Sequence, residues 1–237
     1  MSTAVATVSD LAARLAAVRL EIDAAAQRTG RSPEAVTLVA VSKTFPADLV
    51  DAAIAAGVTD LGENRVQEAE EKIPAVTGAA HWHLVGHLQK NKVNKAIELF
   101  DLIHGVDSLD LAQAIGQRAE RNGVLMKVLL QVNVSGADSQ FGFDANALVP
   151  EAEQIASVSG LTLDGLMCIA PNVDDPEETR PAFRQLAGLH AALAPAMHAA
   201  GHPWRHLSMG MSNDYPIAVE EGATLVRVGR AIFGERV

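Results

Sequence analysis

A lysine closing an apolar run is the first residue of this sequence that could do chemistry. Leu38-Val39-Ala40-Val41-Ser42-Lys43 lies between Pro33 and Pro46, and a short apolar run bounded by turn formers reads as a buried strand. An amine at its carboxyl end stands at the rim of a sheet, where α/β folds build their sites. Burial disfavours the ammonium form, so an amine held partly out of water loses basicity and can attack a carbonyl. Taken alone, Lys43 is better explained as a rim lysine in a salt bridge. Its company changes that reading. The other strand ends contribute Gly62-Glu63-Asn64, His83 with Gly86-His87, Asp107-Ser108, Asn133-Val134-Ser135, Cys168, Ser208 through Ser212, and Arg227-Val228-Gly229-Arg230.

The last two of these segments look like an anion cradle. Barrels often bind phosphate with the loops after strands seven and eight, using backbone amides beside a helix start. Gly210 and Gly229 would let backbone approach an anion, and Ser212 would add a hydroxyl. The plainer alternative is that the glycines make turns and that Ser212 or Asn213 caps a helix. Arg227 interrupts an apolar strand, so it must be paired, with Glu63 or Asp214, or must touch a ligand. Both readings stay open. His81-Trp82-His83 admits a metal site, because residues two apart on a strand share a face. With Lys43, His206 and Asp214 it would suggest a metal-dependent hydrolase. The competing reading makes His83 a hydrogen-bonded barrel histidine and His81 a surface residue. Glu68, Glu70 and Glu71 read as a solvated helix face, and Met167, Met209, Met211 and Cys168 as apolar packing. No glycine-rich nucleotide-binding motif follows a strand.

Positioning this rim requires repeated strand–helix units. Leu11, Leu15, Val18 and Ile22 predict a first helix, capped by Ser9 or Asp10 and stopped at Gly30, that closes the bottom of the fold. Strands are then expected at 38–43, 58–63, 81–85, 102–106, 126–134, 161–169, 206–209 and 224–228. Helices follow the first seven: about 46–57, the acidic stretch through Val66, Ala69 and Ile73, the segment of Val93, Ala96 and Ile97, a helix capped by Ser108 and stopped near Gly123, 148–158, a long stretch from Asp175 to about Ala200 divided by Pro181 and Pro195, and 214–222; the eighth leads to the carboxyl-terminal turn. Eight alternations without a linker favour a single (β/α)8 TIM barrel with an extra N-terminal helix, one domain over 1–237. An open doubly wound sheet is the alternative.

The whole-chain numbers narrow the function. At 49% apolar and 20% charged, the 237 residues can bury a core. A net charge of −10 argues against a nucleic-acid surface. The single cysteine, Cys168, rules out an intrachain disulfide and a cysteine-rich zinc site. No apolar run reaches membrane-spanning length and no secretory signal is evident, so a cytoplasmic protein is expected.

Long stretches of the chain resemble a known family: Leu38–Thr44, Gly62–Glu68, Trp82–Lys92, Gly165-Leu166-Met167, Leu207–Ser212 and Val226–Gly234 are similar to the pyridoxal phosphate homeostasis protein family. The resemblance implies a barrel like the N-terminal domain of alanine racemase, with pyridoxal 5′-phosphate (PLP) as cofactor. Carried onto this sequence, Lys43 would be the Schiff-base lysine. Ser212, Gly229 and Arg230 would hold the phosphate, Arg227 would approach the pyridine nitrogen, and Asn64, His83 and Met211 would line the pocket. A guanidinium at that nitrogen discourages the proton that makes the ring an electron sink. Racemases of similar fold draw a base from another domain, which a chain ending at Val237 is expected to lack, and the single tyrosine, Tyr215, is an uncertain substitute. The implied role is non-enzymatic buffering or delivery of PLP, with PLP-dependent apoenzymes as partners, by a monomer or weak dimer. A low-activity racemase or lyase is the alternative. Family members often carry a second lysine before a glycine after the fifth strand; Gln140 stands there, which puts any function of that amine in doubt.

Overall fold

Two-residue alternation along short parallel strands decides the architecture. A computed structural model describes residues 7–136 and 141–234. Eight strands, β1 (Thr37–Val41), β2 (Asp60–Glu63), β3 (His81–Leu84), β4 (Leu102–Val106), β5 (Met126–Asn133), β7 (Leu161–Met167), β8 (His206–Ser208) and β9 (Leu225–Val228), form one parallel ring. Val39 opposite Arg227 and Ile103 opposite Val128 mark two of its seams. A two-residue strand, β6 (Phe143–Asp144), pairs with the end of β5 outside the ring. The closed barrel excludes the open-sheet alternative.

One face of each strand supplies the interior. Val39, Val41, Val85, Leu102, Leu129, Met167 and Leu225 pack together inside the ring. The opposite faces, among them Ala40, Leu61, Leu84, Ile103, Leu130 and Val226, pack under the surrounding helices. These are α2 (Ala47–Ala55), α3 (Val66–Lys72), α4 (Val93–Leu99), α5 (Leu109–Arg121), α6 (Leu148–Ala156), α7 (Arg180–Ala199), α8 (Tyr215–Glu220) and α9 (Arg230–Phe233). Ser108 caps α5 as expected, its hydroxyl accepting the Leu111 amide at 3.2 Å. None of the helices in the described residues is long and apolar enough to cross a membrane.

Three expectations are corrected. The helix before β1, α1 (Val8–Arg28), is capped by Thr7, with Asp10 reaching back to complete the reciprocal pair; Ser9 and Asp10 are already inside the helix. That helix does not close the bottom. It packs against α8, α9 and α2 on the flank, with Arg28 bonded to Glu220 at 2.7 Å. Finally, α7 is continuous through Pro195. The missing amide costs one bond four residues back, and the alanine-rich turn around it (Ala191, Ala192, Ala194, Ala196) carries the helix on. Pro181 lies in its first turn, where no intrahelical donor is needed.

Candidate functional site

The inner-face alternation that places Val39 and Val41 in the barrel continues to Lys43 at the carboxyl end of β1. Along β9 it places Leu225 and then Arg227, and along β3 it places His83 and then Val85. A cavity of about 630 Å³ opens at this end, lined by Lys43, Asn64, Met211, Ser212, Arg227, Gly229 and Arg230, with Val41, Val85, Asn213, Asp214 and the segment from Ile169 to Val173 completing it. Lys43 is half-buried and Met211 is exposed at the mouth. Pro176 and Thr179, from the turn that leads into α7, also line the cavity.

Arg227 defines the electrostatics of the floor. It is 5% exposed, and one terminal nitrogen donates to Ser208 Oγ at 2.6 Å while the other donates to the Cys168 carbonyl at 2.8 Å. Neither expected carboxylate pairs with it. Glu63 is held instead by Lys72 at 2.6 Å and the Ser42 hydroxyl at 2.7 Å. Asp214 spends a carboxylate oxygen on the Met211 amide at 2.5 Å, and burial pushes its carboxyl above the ordinary value. A guanidinium carries five N–H donors, and two serve these bonds. Among the described residues no carboxylate bonds Arg227; burial of an arginine in that state is costly, so the floor favours a ligand that brings negative charge or an acceptor. Lys43, Arg227 and Arg230 make the lining cationic. Of the α9 amides, those of Ile232 and Phe233 donate to the Gly229 carbonyl at 3.0 and 2.9 Å, which leaves the opening amides of Arg230 and Ala231 without an intrahelical acceptor. Arg230 itself reaches Asn213 Oδ1 at 3.4 Å.

Seven of the eight residues singled out from the sequence thus share one cavity. His83 does not. It is buried below the lining, with Nδ1 3.0 Å from His104 Nε2 and Nε2 3.1 Å from Asp60 Oδ1, because β3 runs on and Val85 takes the rim. Tyr215 is absent from the lining; its hydroxyl donates to Glu21 of α1, and burial raises its pKa well above the ordinary phenol range. Gly210 serves a turn: its φ is +86°, and a Cβ there would lie 2.5 Å from the Ala218 Cβ. His81 is surface-exposed, and among the described residues no group of three or more His, Cys, Asp or Glu is placed to hold a metal. Cys168 is packed inside, burial pushing its thiol up to about 12. Gln140 lies outside the described residues. The wall formed by residues 170–173 has a weak signature in the sequence: Pro171 and Asn172 signal a turn after a strand, but the segment carries no reactive side chain.

A family model described as the N-terminal domain of alanine racemase matches residues 11–237. A protein of Aquifex aeolicus named pyridoxal phosphate homeostasis protein is 38% identical over 94% of this chain and 97% of its own. An Escherichia coli K12 protein of the same name is 40% identical over 97% and 98%. The structure of PipY from Synechococcus elongatus PCC7942 with PLP bound superposes with a TM-score of 0.81 at 39% identity, covering 94% of this chain and all of that one.

Proposed function

The chain belongs to the pyridoxal phosphate homeostasis protein family, and from that premise we propose that it binds PLP reversibly in the cavity at the carboxyl ends of its strands, and buffers or delivers the cofactor inside the cell. The single observation that carries this reading is the joint placement, on one cavity, of Lys43 and of buried Arg227, which bonds no carboxylate among the described residues. That floor and that amine fit an anionic aldehyde. PLP supplies an aldehyde open to an amine, an aromatic ring and a dianionic phosphate.

The residues divide the work by chemistry. Lys43 would carry the covalent link to the aldehyde. Ser212, Gly229, Arg230 and the opening amides of α9 would hold the phosphate, since hydroxyl, backbone N–H and guanidinium are all donors. Arg227 would face the ring nitrogen and keep it unprotonated, because a fixed positive charge disfavours a second one beside it. Asn64 and Met211 would flank the ring. His83 is removed from this set.

An unprotonated ring is a weak electron sink, so binding without appreciable turnover is expected. Tyr215 is committed to α1, which removes it as a base. The partners would be apoenzymes that need PLP, met by a monomer or weak dimer in the cytoplasm. Mixing the loaded protein with a PLP-dependent apoenzyme should restore that enzyme's activity, while Cα–deuterium exchange of added amino acids stays at the background of free PLP. Rapid exchange by the loaded protein would instead establish a racemase or lyase.

A further inference from the structure

The barrel interior is not wholly apolar. From the cavity floor, Arg227 donates to Ser208 Oγ at 2.6 Å. Ser208 Oγ lies 2.8 Å from His104 Nδ1, His104 Nε2 lies 3.0 Å from His83 Nδ1, and His83 Nε2 lies 3.1 Å from Asp60 Oδ1. Ser208 and His104 are completely buried, and His83 is 6% exposed. The chain crosses from β9 and β8 through β4 and β3 to the first residue of β2, so it links the cavity floor to the amino-terminal end of the barrel.

Its proton positions follow from counting donors. Arg227 can only donate, so Ser208 accepts from it and has its own O–H to place. Among the described residues the acceptor within reach is His104 Nδ1. His104 must then carry its proton on Nε2 and give it to His83 Nδ1, which leaves the His83 Nε2–H to meet the Asp60 carboxylate. Every donor meets an acceptor and both imidazoles are neutral. The opposite arrangement needs a proton on His104 Nδ1, which strands the serine hydroxyl, and a charged His83 to reach Asp60, which adds a cation near buried Arg227. A stranded buried hydroxyl and an added buried charge are each penalised.

The groups facing this chain agree. His104 meets Arg227, His83 and His206, and burial first, then those neighbours, hold it well below the ordinary histidine value. Burial pushes Asp60 upward, but hydrogen bonds from His83 and Thr59 outweigh it and leave its carboxyl lowered. Asp164 lies beyond, 3.8 Å from His206 Nε2 and bonded to Arg205 at 2.6 Å.

We propose that Ser208, His104, His83 and Asp60 are positioning residues: a one-way hydrogen-bond relay, fixed in the Nε2–H tautomer at both histidines, that locks the Arg227 guanidinium in one orientation under the cavity. The carboxylate at the far end polarises each bond toward itself, so it also balances the arginine's charge across the barrel. The claim about tautomers stands on the protein alone. The claim about ligand recognition rests on the PLP reading.

The relay is testable at the end remote from the cavity. In unliganded protein labelled with 15N-histidine, long-range 1H–15N spectra near neutral pH should report neutral Nε2–H tautomers for His83 and His104. Asp60→Asn keeps an acceptor oxygen and should preserve both tautomers. Asp60→Leu leaves the His83 Nε2–H without an acceptor, so the wild-type tautomers lose their advantage and an Nδ1–H population should appear at both rings, raising the Kd for PLP roughly three- to tenfold and shifting the bound absorption band, although residue 60 does not line the cavity. Imidazolium or Nδ1–H signals in the wild type, or wild-type tautomers and affinity in Asp60→Leu, would overturn the relay. If the wild-type protein takes up no PLP, the cofactor reading fails by itself and the tautomers still decide whether the relay exists.

Discussion

Lys72 and Arg227 are both withdrawn from water, 7% and 5% exposed, yet their surroundings differ in kind. Lys72 sits behind the sheet, between β2 and α3, with Glu63 at 2.6 Å, Glu68 at 2.8 Å and the Ser42 carbonyl at 2.8 Å. Its charge is answered inside the protein. Arg227 faces the cavity and has a hydroxyl and a carbonyl as its contacts, with three groups between it and the carboxylate of its relay. The cost of burying charge is similar in both places, but one cluster is closed and the other is left open to a ligand. A buried cation is therefore informative by its partners more than by its burial.

Substitution should separate the two. Lys72→Met strands Glu63 in the interior and should cost about 3–5 kcal/mol of unfolding free energy in urea. Arg227→Met should leave unliganded stability within about 1 kcal/mol of wild type. Its effect belongs to affinity: a loss of tenfold or more for PLP, the size of about 1.5–3 kcal/mol for a hydrogen bond from a charged donor. If Arg227→Met unfolds the protein as Lys72→Met does, the contrast between closed and open clusters fails.

Acid provides a gentler probe of the cavity side. His104 has a folded pKa well below its ordinary value because burial disfavours the imidazolium. The unfolded chain takes up a proton there as pH falls through about 6.5, and the folded chain does not. Stability contributed by this residue is therefore present above that pH and lost below it. Urea titrations on the acid side should show this decline in the wild type and a flatter profile in His104→Gln. The smallest effect is expected from Tyr215→Phe, which removes the bond to Glu21. It should cost about 1 kcal/mol and leave PLP affinity unchanged. A large loss of affinity would restore Tyr215 to the site.

These contrasts also show which parts of the molecule its sequence could disclose. Strand–helix alternation and the inward parity of Val39, Val41 and Lys43 are local properties, so the barrel and its lysine are readable residue by residue. Arg227 is conspicuous because charge in an apolar strand has few explanations. Its partner is not readable, since Glu63 and Asp214 stand equally close in a sequence argument and only packing assigns Glu63 to Lys72. His83 is the hydrogen-bonded barrel histidine that strand parity allows; the lining role implied by the resemblance fails on depth, because β3 ends at Leu84 and Val85 reaches the rim. The wall from Ile169 to Val173 stayed hidden because backbone and apolar side chains shape a cavity without announcing any chemistry.

The most direct test is to incubate the protein with PLP, reduce it with borohydride and locate the modified residue by mass spectrometry. One stable adduct is expected, on Lys43, and none at that position in Lys43→Ala. An unmodified Lys43, or an adduct confined to another lysine, would contradict that expectation.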